Sequence, residues 1–117
     1  NEGYKMSNAI QESLMSYVSN IEKIYGEKLR AVILYGSYAR GDNTIDSDID
    51  IMILLDMEEI DIKKYRHELS DMTYDYNMEH DLDIKPIAKS QELFNKWNNC
   101  YPFYKNIKSE GISLYAA

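Results

Sequence analysis

Residues 34–55 of this chain read LYGSYARGDNTIDSDIDIMILL. An apolar segment stops at Gly36-Ser37, and ten residues after Ser37 two aspartates stand one residue apart at the start of a second apolar segment. Short runs of large apolar residues bounded by turn signals are typical of buried strands. A glycine directly after such a strand lets the backbone turn sharply or approach a ligand closely. The stretch therefore predicts two buried strands with polar residues gathered at their ends.

The two aspartates, Asp48 and Asp50, share one face of a predicted strand over 48–55, because alternate side chains of a strand point the same way. Both faces are apolar after Asp50, which predicts a central strand. Two like charges beside a core are costly unless a cation lies between them. Mg²⁺ prefers a few carboxylates together with substrate phosphates, so the pair predicts a metal site. The alternative is a solvated turn that simply ends the strand.

The glycine turn favours the first interpretation. Ser37 can cap a short helix, and the N–H groups at a helix start attract anions. The guanidinium of Arg40 suits phosphate oxygens. Gly-Ser before a helix is by itself a common turn, but together with the aspartate pair it describes a site for a metal-bound triphosphate. Tyr35 and Tyr38 flank the turn; either could stack on a base, and we expect core packing for Tyr35 and a rim position for Tyr38.

A third carboxylate is expected, because phosphoryl transfer with two metal ions also needs a group that serves the attacking atom. The segment EHDLDIKPI, residues 79–87, offers Asp81 and Asp83 on one face of a predicted strand over 82–87. We expect Asp83 to fill this role because it projects from within the strand, and Asp81 is the alternative. Lys85 shares their face and is expected to pair with a neighbouring aspartate.

These residues resemble the signature of the DNA polymerase β-like nucleotidyltransferase superfamily, in its minimal nucleotidyltransferase (MNT) branch. The family pattern is Gly-Ser, ten residues, then Asp-x-Asp, and residues 38–47 separate Ser37 from Asp48 in this chain. The segments Ala39–Gly41 and Ser47–Asp50 also match that branch. The resemblance implies an α/β (α+β) fold with a single-layer mixed β-sheet flanked by helices and the metals at one end of the sheet.

The resemblance also implies a role for each matching residue. Gly36 and Ser37 would hold the triphosphate of ATP or another nucleoside triphosphate, and Arg40 would neutralise phosphate charge. The implied ligands of two Mg²⁺ ions are Asp48, Asp50 and Asp83. Asp83 would in addition help take the acceptor's proton. The implied reaction is attack of a hydroxyl on the α-phosphorus with release of pyrophosphate, catalysed mainly by positioning and charge neutralisation.

The remaining chain predicts one domain spanning residues 1–117. Apolar residues recur at spacings of three and four in two long segments, which predicts amphipathic helices. The predicted elements in chain order are a helix over 10–25 ended by Gly26, a strand over 30–35, a strand over 48–55, a helix over 58–77, a strand over 82–87, a helix from Ser90 that restarts at Pro102, and a short strand over 112–115.

Composition narrows the function classes. The formal net charge is −7, from 20 acidic and 13 basic residues, and an acidic surface repels a phosphate backbone, so we expect no direct nucleic-acid partner. The longest apolar run, Ile51–Leu55, is far too short to cross a bilayer, and no segment is ordered like a signal peptide. The single Cys100 excludes a disulfide framework. We therefore expect a cytoplasmic protein.

The acceptor is inferred from the resemblance alone. A chain without the extra domains of polymerases or antibiotic-modifying enzymes is similar to the MntA-type antitoxins of HEPN/MNT toxin–antitoxin pairs, which implies transfer of AMP to a tyrosine of a HEPN toxin. An acidic antitoxin would also complement a basic RNA-cutting partner. Two alternatives stay open: a non-catalytic antitoxin or binding subunit that masks its partner, and nucleotidyl transfer to a small molecule such as an aminoglycoside, in a site completed by a homo-oligomer.

Overall fold

Strands and helices alternate through residues 6–117, the part of the chain that the computed structural model describes. The helices are α1 (Asn8–Tyr25), α2 (Ser37–Arg40), α3 (Glu59–Ile62), α4 (Arg66–His80), α5 (Gln91–Trp97) and α6 (Pro102–Glu110). The strands are β1 (Leu29–Tyr35), β2 (Ile49–Leu55), β3 (Ile84–Ser90) and β4 (Ile112–Ala116). Within residues 6–117, no helix is both long and apolar enough to cross a membrane.

The four strands form one mixed sheet in the order β3-β2-β1-β4. β1 is antiparallel to both of its neighbours, β2 and β4, whereas β2 and β3 are parallel. The prediction that β2 is central is confirmed. β3 lies at an edge, where Pro86, which has no N–H to donate, is tolerated.

Helices cover both faces of the sheet, so β2 is buried on both sides. Its odd-numbered residues 49–55 pack with α1 and α4, and its Met52 and Leu54 pack with α5 and α6. On the first face the Tyr17 hydroxyl and the Thr73 hydroxyl form a buried hydrogen bond of 2.7 Å between α1 and α4. The mixed sheet flanked by helices, predicted from the motif, is thus confirmed.

Several element boundaries differ from the prediction. The strand predicted over 48–55 begins at Ile49, so Asp48 lies one residue before it, and β3 extends to Ser90. The single helix predicted over 58–77 is divided into α3, a 3₁₀ turn at Lys63–Tyr65, and α4. The sequence did not reveal this division, because apolar spacings of three and four fit an α-helix and a 3₁₀ turn equally well. The strand predicted over 82–87 begins at Ile84 instead. The Asn77 side chain accepts from the Ile84 N–H at 2.9 Å and donates to its carbonyl at 3.1 Å, which fixes the start of β3.

Candidate active site

The end of β1 and the starts of β2 and β3 meet at one end of the sheet. Because β1 runs antiparallel to β2, the last residue of β1, Tyr35, lies opposite Asp50. Because β2 and β3 are parallel, their first residues, Ile49 and Ile84, lie opposite each other. The Ile49 N–H also donates to the Asp83 carbonyl at 2.9 Å. The residues that follow β1 and precede β2 and β3 are therefore brought together.

The glycine turn lies directly against a carboxylate. Gly36 has φ 76° and ψ −154°, a combination that is essentially restricted to glycine, and a Cβ atom at this position would overlap Asp50 Oδ2. Its carbonyl accepts from the N–H groups of Ala39 and Arg40 at 3.1 and 3.0 Å, which starts α2. The expected capping by Ser37 is therefore wrong: Gly36 is the N-cap, and Ser37 is the first helical residue and makes no side-chain capping bond. The absence of a side chain at residue 36 thus allows the start of α2 and the Asp50 carboxylate to share one small volume.

The carboxylates of the site repel one another. Partial burial and the charge of Asp48 raise the pKa of Asp50, while Arg40 and Lys85 oppose that rise. A hydrogen bond to the Asp83 carboxyl and the charge of that group raise the pKa of Asp48, which is itself fully exposed. Burial is the larger cause of the raised pKa of Asp50, but negative charge contributes to both shifts, and a bound cation would relieve that contribution.

The two candidates for the third carboxylate are separated by the structure. Asp83 lies one residue before β3 rather than within it, touches Asp48, and pairs with Lys85 Nζ at 3.6 Å, as expected for Lys85. Asp81 is not on a strand face: it ends α4 in a left-handed conformation with φ 54°. Asp83 is therefore the residue that stands beside the aspartate pair.

Arg40 reaches the site from α2 and is held by acidic side chains. Its Nε lies 3.3 Å from an Asp42 carboxylate oxygen, and its Nη1 lies 3.8 Å from Glu110 Oε1 at the end of α6. Both partners are exposed, so these ion pairs are weak and can exchange for a ligand. Glu110 did not feature in the sequence prediction.

A cavity of about 540 Å³ opens at this sheet edge, a size typical of small-molecule sites. Its lining includes five of the six predicted site residues: Gly36, Ser37, Arg40, Asp48 and Asp50. Tyr35 also lines the cavity, whereas Tyr38 packs against the core on the α1 side instead of forming a rim.

A second part of the cavity lining comes from α6, a contribution that the sequence did not predict. Phe103, Asn106, Ile107 and Glu110 line it. They recur at spacings of three, one and three, which places them on one helix face. The sequence predicted a helix that restarts at Pro102 but assigned no role to this face of it. The spacing was a usable signal, but nothing in the sequence indicates that this face meets the distant glycine turn.

The donor set suits a hard divalent cation. Asp48, Asp50 and Asp83 offer carboxylate oxygens, and the absence of a side chain at Gly36 lets the Asp50 carboxylate lie directly against the turn. Among residues 6–117, no group of three or more His, Cys, Asp or Glu side chains is arranged so that it could already hold a metal ion. The residues fit Mg²⁺ by chemistry, and the assignment of each ligand stays a prediction.

Comparison with known proteins identifies the family. The family model described as "Polymerase beta, Nucleotidyltransferase" matches residues 10–117. "Putative protein adenylyltransferase MJ0604" of Methanocaldococcus jannaschii is 34% identical over 105 residues, which cover 90% of this chain and 97% of that protein.

Two solved structures share the fold. The first, a toxin–antitoxin with AMP-PNP, is 21% identical with a TM-score of 0.54, and the match covers 95% of this chain and 75% of the other. The second, a mutant of the toxin–antitoxin MntA-HpeT, is 19% identical with a TM-score of 0.51, and the match covers 88% and 73%. Because the family model matches residues 10–117 and the fold agrees with it, this chain belongs to the polymerase beta nucleotidyltransferase family.

Proposed function

We propose that this chain is an antitoxin that transfers AMP from ATP to a tyrosine hydroxyl of a partner HEPN toxin, in a reaction that requires Mg²⁺. The contact of Gly36 with Asp50 carries the proposal. It unites a backbone turn suited to phosphate with carboxylates suited to a cation, at one end of a cavity large enough for a nucleotide. The relative named as a protein adenylyltransferase supports a protein as the acceptor.

The residues of the chain divide into three roles. Gly36 and Ser37 bind the β- and γ-phosphates through the start of α2. Arg40 exchanges its exposed acidic partners for phosphate oxygens, whose charge it offsets. The proposed Mg²⁺ ligands are Asp48, Asp50 and Asp83. When bound, Mg²⁺ would neutralise charge on the phosphates.

The transfer step is a single displacement. The tyrosine oxygen forms a bond to the α-phosphorus, the bond from that phosphorus to the bridging oxygen of the β-phosphate breaks, and pyrophosphate leaves. Asp83 helps accept the proton of the hydroxyl, because it lies beside Asp48 but does not line the cavity in which Gly36 and Ser37 hold the phosphates. Lys85 lies 3.6 Å from Asp83 in an exposed ion pair, which is as weak as those of Arg40 and leaves the carboxylate free to exchange its partner.

The partner is the part of the proposal that rests most on similarity. Two structural relatives were solved as toxin–antitoxin assemblies. The net charge of −7 would favour association with a basic toxin, since complementary charge steers encounter.

The test follows the label from α-³²P-ATP in the presence of Mg²⁺, with the chain alone and with the HEPN protein encoded beside it. We expect labelled toxin only when both proteins are present, and loss of the label when the acceptor tyrosine is changed to phenylalanine. Asp83→Asn should reduce labelling at least about 100-fold. Asp81→Asn is the matched control, because it makes the same chemical change at an exposed residue whose left-handed conformation asparagine tolerates.

Two results would contradict the proposal. Equal loss of labelling in the two variants would show that Asp83 has no special role. A wild-type chain that neutralises the toxin without transferring label, and an Asp48→Asn/Asp50→Asn variant that neutralises it equally well, would establish masking instead of catalysis.

A further inference from the structure

The cavity is larger than a triphosphate tail requires, and its two walls differ chemically. One wall carries the glycine turn, Arg40 and the aspartates, whereas the α6 wall carries an aromatic ring and a carboxamide, from Phe103 and Asn106. A polar, charged wall suits phosphates and a metal ion. A wall with an aromatic ring and one amide suits the flat, hydrogen-bonding part of a nucleotide.

α6 is held firmly enough to present these two residues. Ile107, on the same helix face, is buried against Met52 and Leu54 of the sheet. The Phe103 ring meets the Tyr35 ring edge to face, with centroids 5.9 Å apart and an interplanar angle of 88°. Phe103 nevertheless keeps 47% of its surface exposed, although it lines the cavity. The ring also packs against Tyr104, with centroids 5.2 Å apart. An anchored aromatic ring that keeps nearly half of its surface exposed is suited to stacking.

Asn106 stands one helical turn from Phe103 on the same face. Its backbone carbonyl accepts from the Ser109 hydroxyl at 3.4 Å, and no hydrogen bond within residues 6–117 engages its side-chain amide. A carboxamide both donates and accepts, which matches the adjacent amino donor and ring-nitrogen acceptor of adenine. Guanine presents two acceptors at the corresponding edge and leaves one of these bonds unmade.

We infer that the α6 face forms the base subsite, in which Phe103 stacks on the nucleobase and Asn106 selects adenine over guanine. This inference rests on the proposed nucleotide substrate and adds a specificity that the Gly-Ser and Asp-x-Asp residues do not supply. The exposed carboxylate of Glu110, one turn beyond Ile107, lies at the Arg40 side of the cavity and marks its phosphate end. The base would therefore lie toward the N-terminal half of α6.

The experiment measures binding without turnover, by calorimetric titration of the full chain with a non-hydrolysable ATP analogue, the GTP analogue and inorganic tripolyphosphate, each with Mg²⁺. We expect Phe103→Ala to weaken the ATP analogue about 5- to 150-fold, the range for loss of one stacked base, and to leave tripolyphosphate unchanged. Phe103→Trp, which keeps an aromatic ring, should bind the ATP analogue as the wild type does. Asn106→Ala should lower the preference for ATP over GTP by about 5- to 150-fold.

Tyr101→Ala is the matched control. Tyr101 is also an exposed aromatic residue of the α5–α6 region, at 54% of its surface, but does not line the cavity. We expect it to leave all three affinities unchanged. Circular dichroism of every variant checks that the fold is retained, and Phe103→Leu, which keeps apolar volume without an aromatic ring, replaces Phe103→Ala if the latter unfolds.

The inference is overturned if Phe103→Ala, or Phe103→Leu in its place, binds the ATP analogue as the wild type does, or if it weakens tripolyphosphate equally. A wild-type chain that binds tripolyphosphate and the nucleotide analogues with equal affinity would also overturn it. A chain that binds ATP through Phe103 but labels no protein would support this inference and contradict the proposed acceptor. The two failures are thus distinguishable.

Discussion

The substitution Gly36→Ala tests the phosphate turn most directly. Gly36 has φ 76° and ψ −154°, and forcing an L-residue into that region costs about 1–3 kcal/mol. The new Cβ would also overlap Asp50 Oδ2, so the turn and the carboxylate must move apart. At an unfolding entropy of about 2 cal/mol/K per residue, a loss of ~1–3 kcal/mol lowers the melting temperature of this chain by roughly 4–12 °C.

Gly26→Ala is the control that distinguishes the effect of backbone strain on stability from an effect on transfer. Gly26 also has a positive φ, 58°, but a Cβ atom there would meet no atom within 4 Å. It precedes β1, whereas Gly36 follows it, and a seven-residue strand puts about 20 Å between them. We therefore expect Gly26→Ala to lower the melting temperature through strain while transfer continues at the wild-type rate.

The assay compares both variants with the wild type by thermal unfolding and by label transfer, well below all three melting temperatures. Gly36→Ala should lower transfer at least about 100-fold and weaken binding of tripolyphosphate, because the displaced turn no longer offers its N–H groups. Wild-type transfer by Gly36→Ala would refute the reasoning. Equal loss of transfer in Gly26→Ala would attribute the effect to instability.

Three further predictions concern Asp50, Glu110 and Thr73. Asp50→Asn should abolish transfer yet raise the melting temperature of the metal-free chain by a few degrees. The native pKa of Asp50 is raised above 3.8, so its ionisation destabilises the fold as the pH rises through that native value. The variant should therefore lose this dependence of stability on pH. A lower melting temperature in Asp50→Asn would indicate a structural role. Glu110→Gln should tighten tripolyphosphate binding up to about fivefold, since it releases Arg40 and removes a negative charge from the cavity, and weaker binding would show that Glu110 helps hold the ligand. Thr73→Val should cost about 1–3 kcal/mol, because it leaves the buried Tyr17 hydroxyl without its 2.7 Å partner, and unfolding by urea with unchanged transfer would confirm a purely structural bond.

Several features could be predicted because they depend on short-range chemistry. The alternation of β2 predicted its two buried faces, and the structure places Met52 and Leu54 on one and the odd-numbered residues on the other. The spacing of Ser37 from Asp48 predicted a single site, and both residues line one cavity. Helix boundaries were less accurate where a 3₁₀ turn preserves the apolar spacing.

The choice between Asp81 and Asp83 needed the fold. Both were predicted on one strand face, but the Asn77 side chain starts β3 at Ile84, so Asp81 falls at the end of a helix. The parallel pairing of β2 with β3 then sets Asp83 beside Asp48. A hydrogen bond between a helix side chain and a strand backbone leaves no periodic signal in the sequence.

The sequence by itself determined the fold class and predicted that the glycine turn and the aspartate pair share one end of the sheet, because strand alternation and a fixed spacing from turn to strand are local properties of the chain. Only the tertiary structure decided what faces that end. β4, which follows α6, pairs antiparallel with β1, and Ile107 of α6 is buried in the core. These contacts hold α6 at the cavity, which Phe103, Asn106 and Glu110 line. Contacts between segments more than 50 residues apart are fixed by packing of the whole core, and no local pattern encodes them.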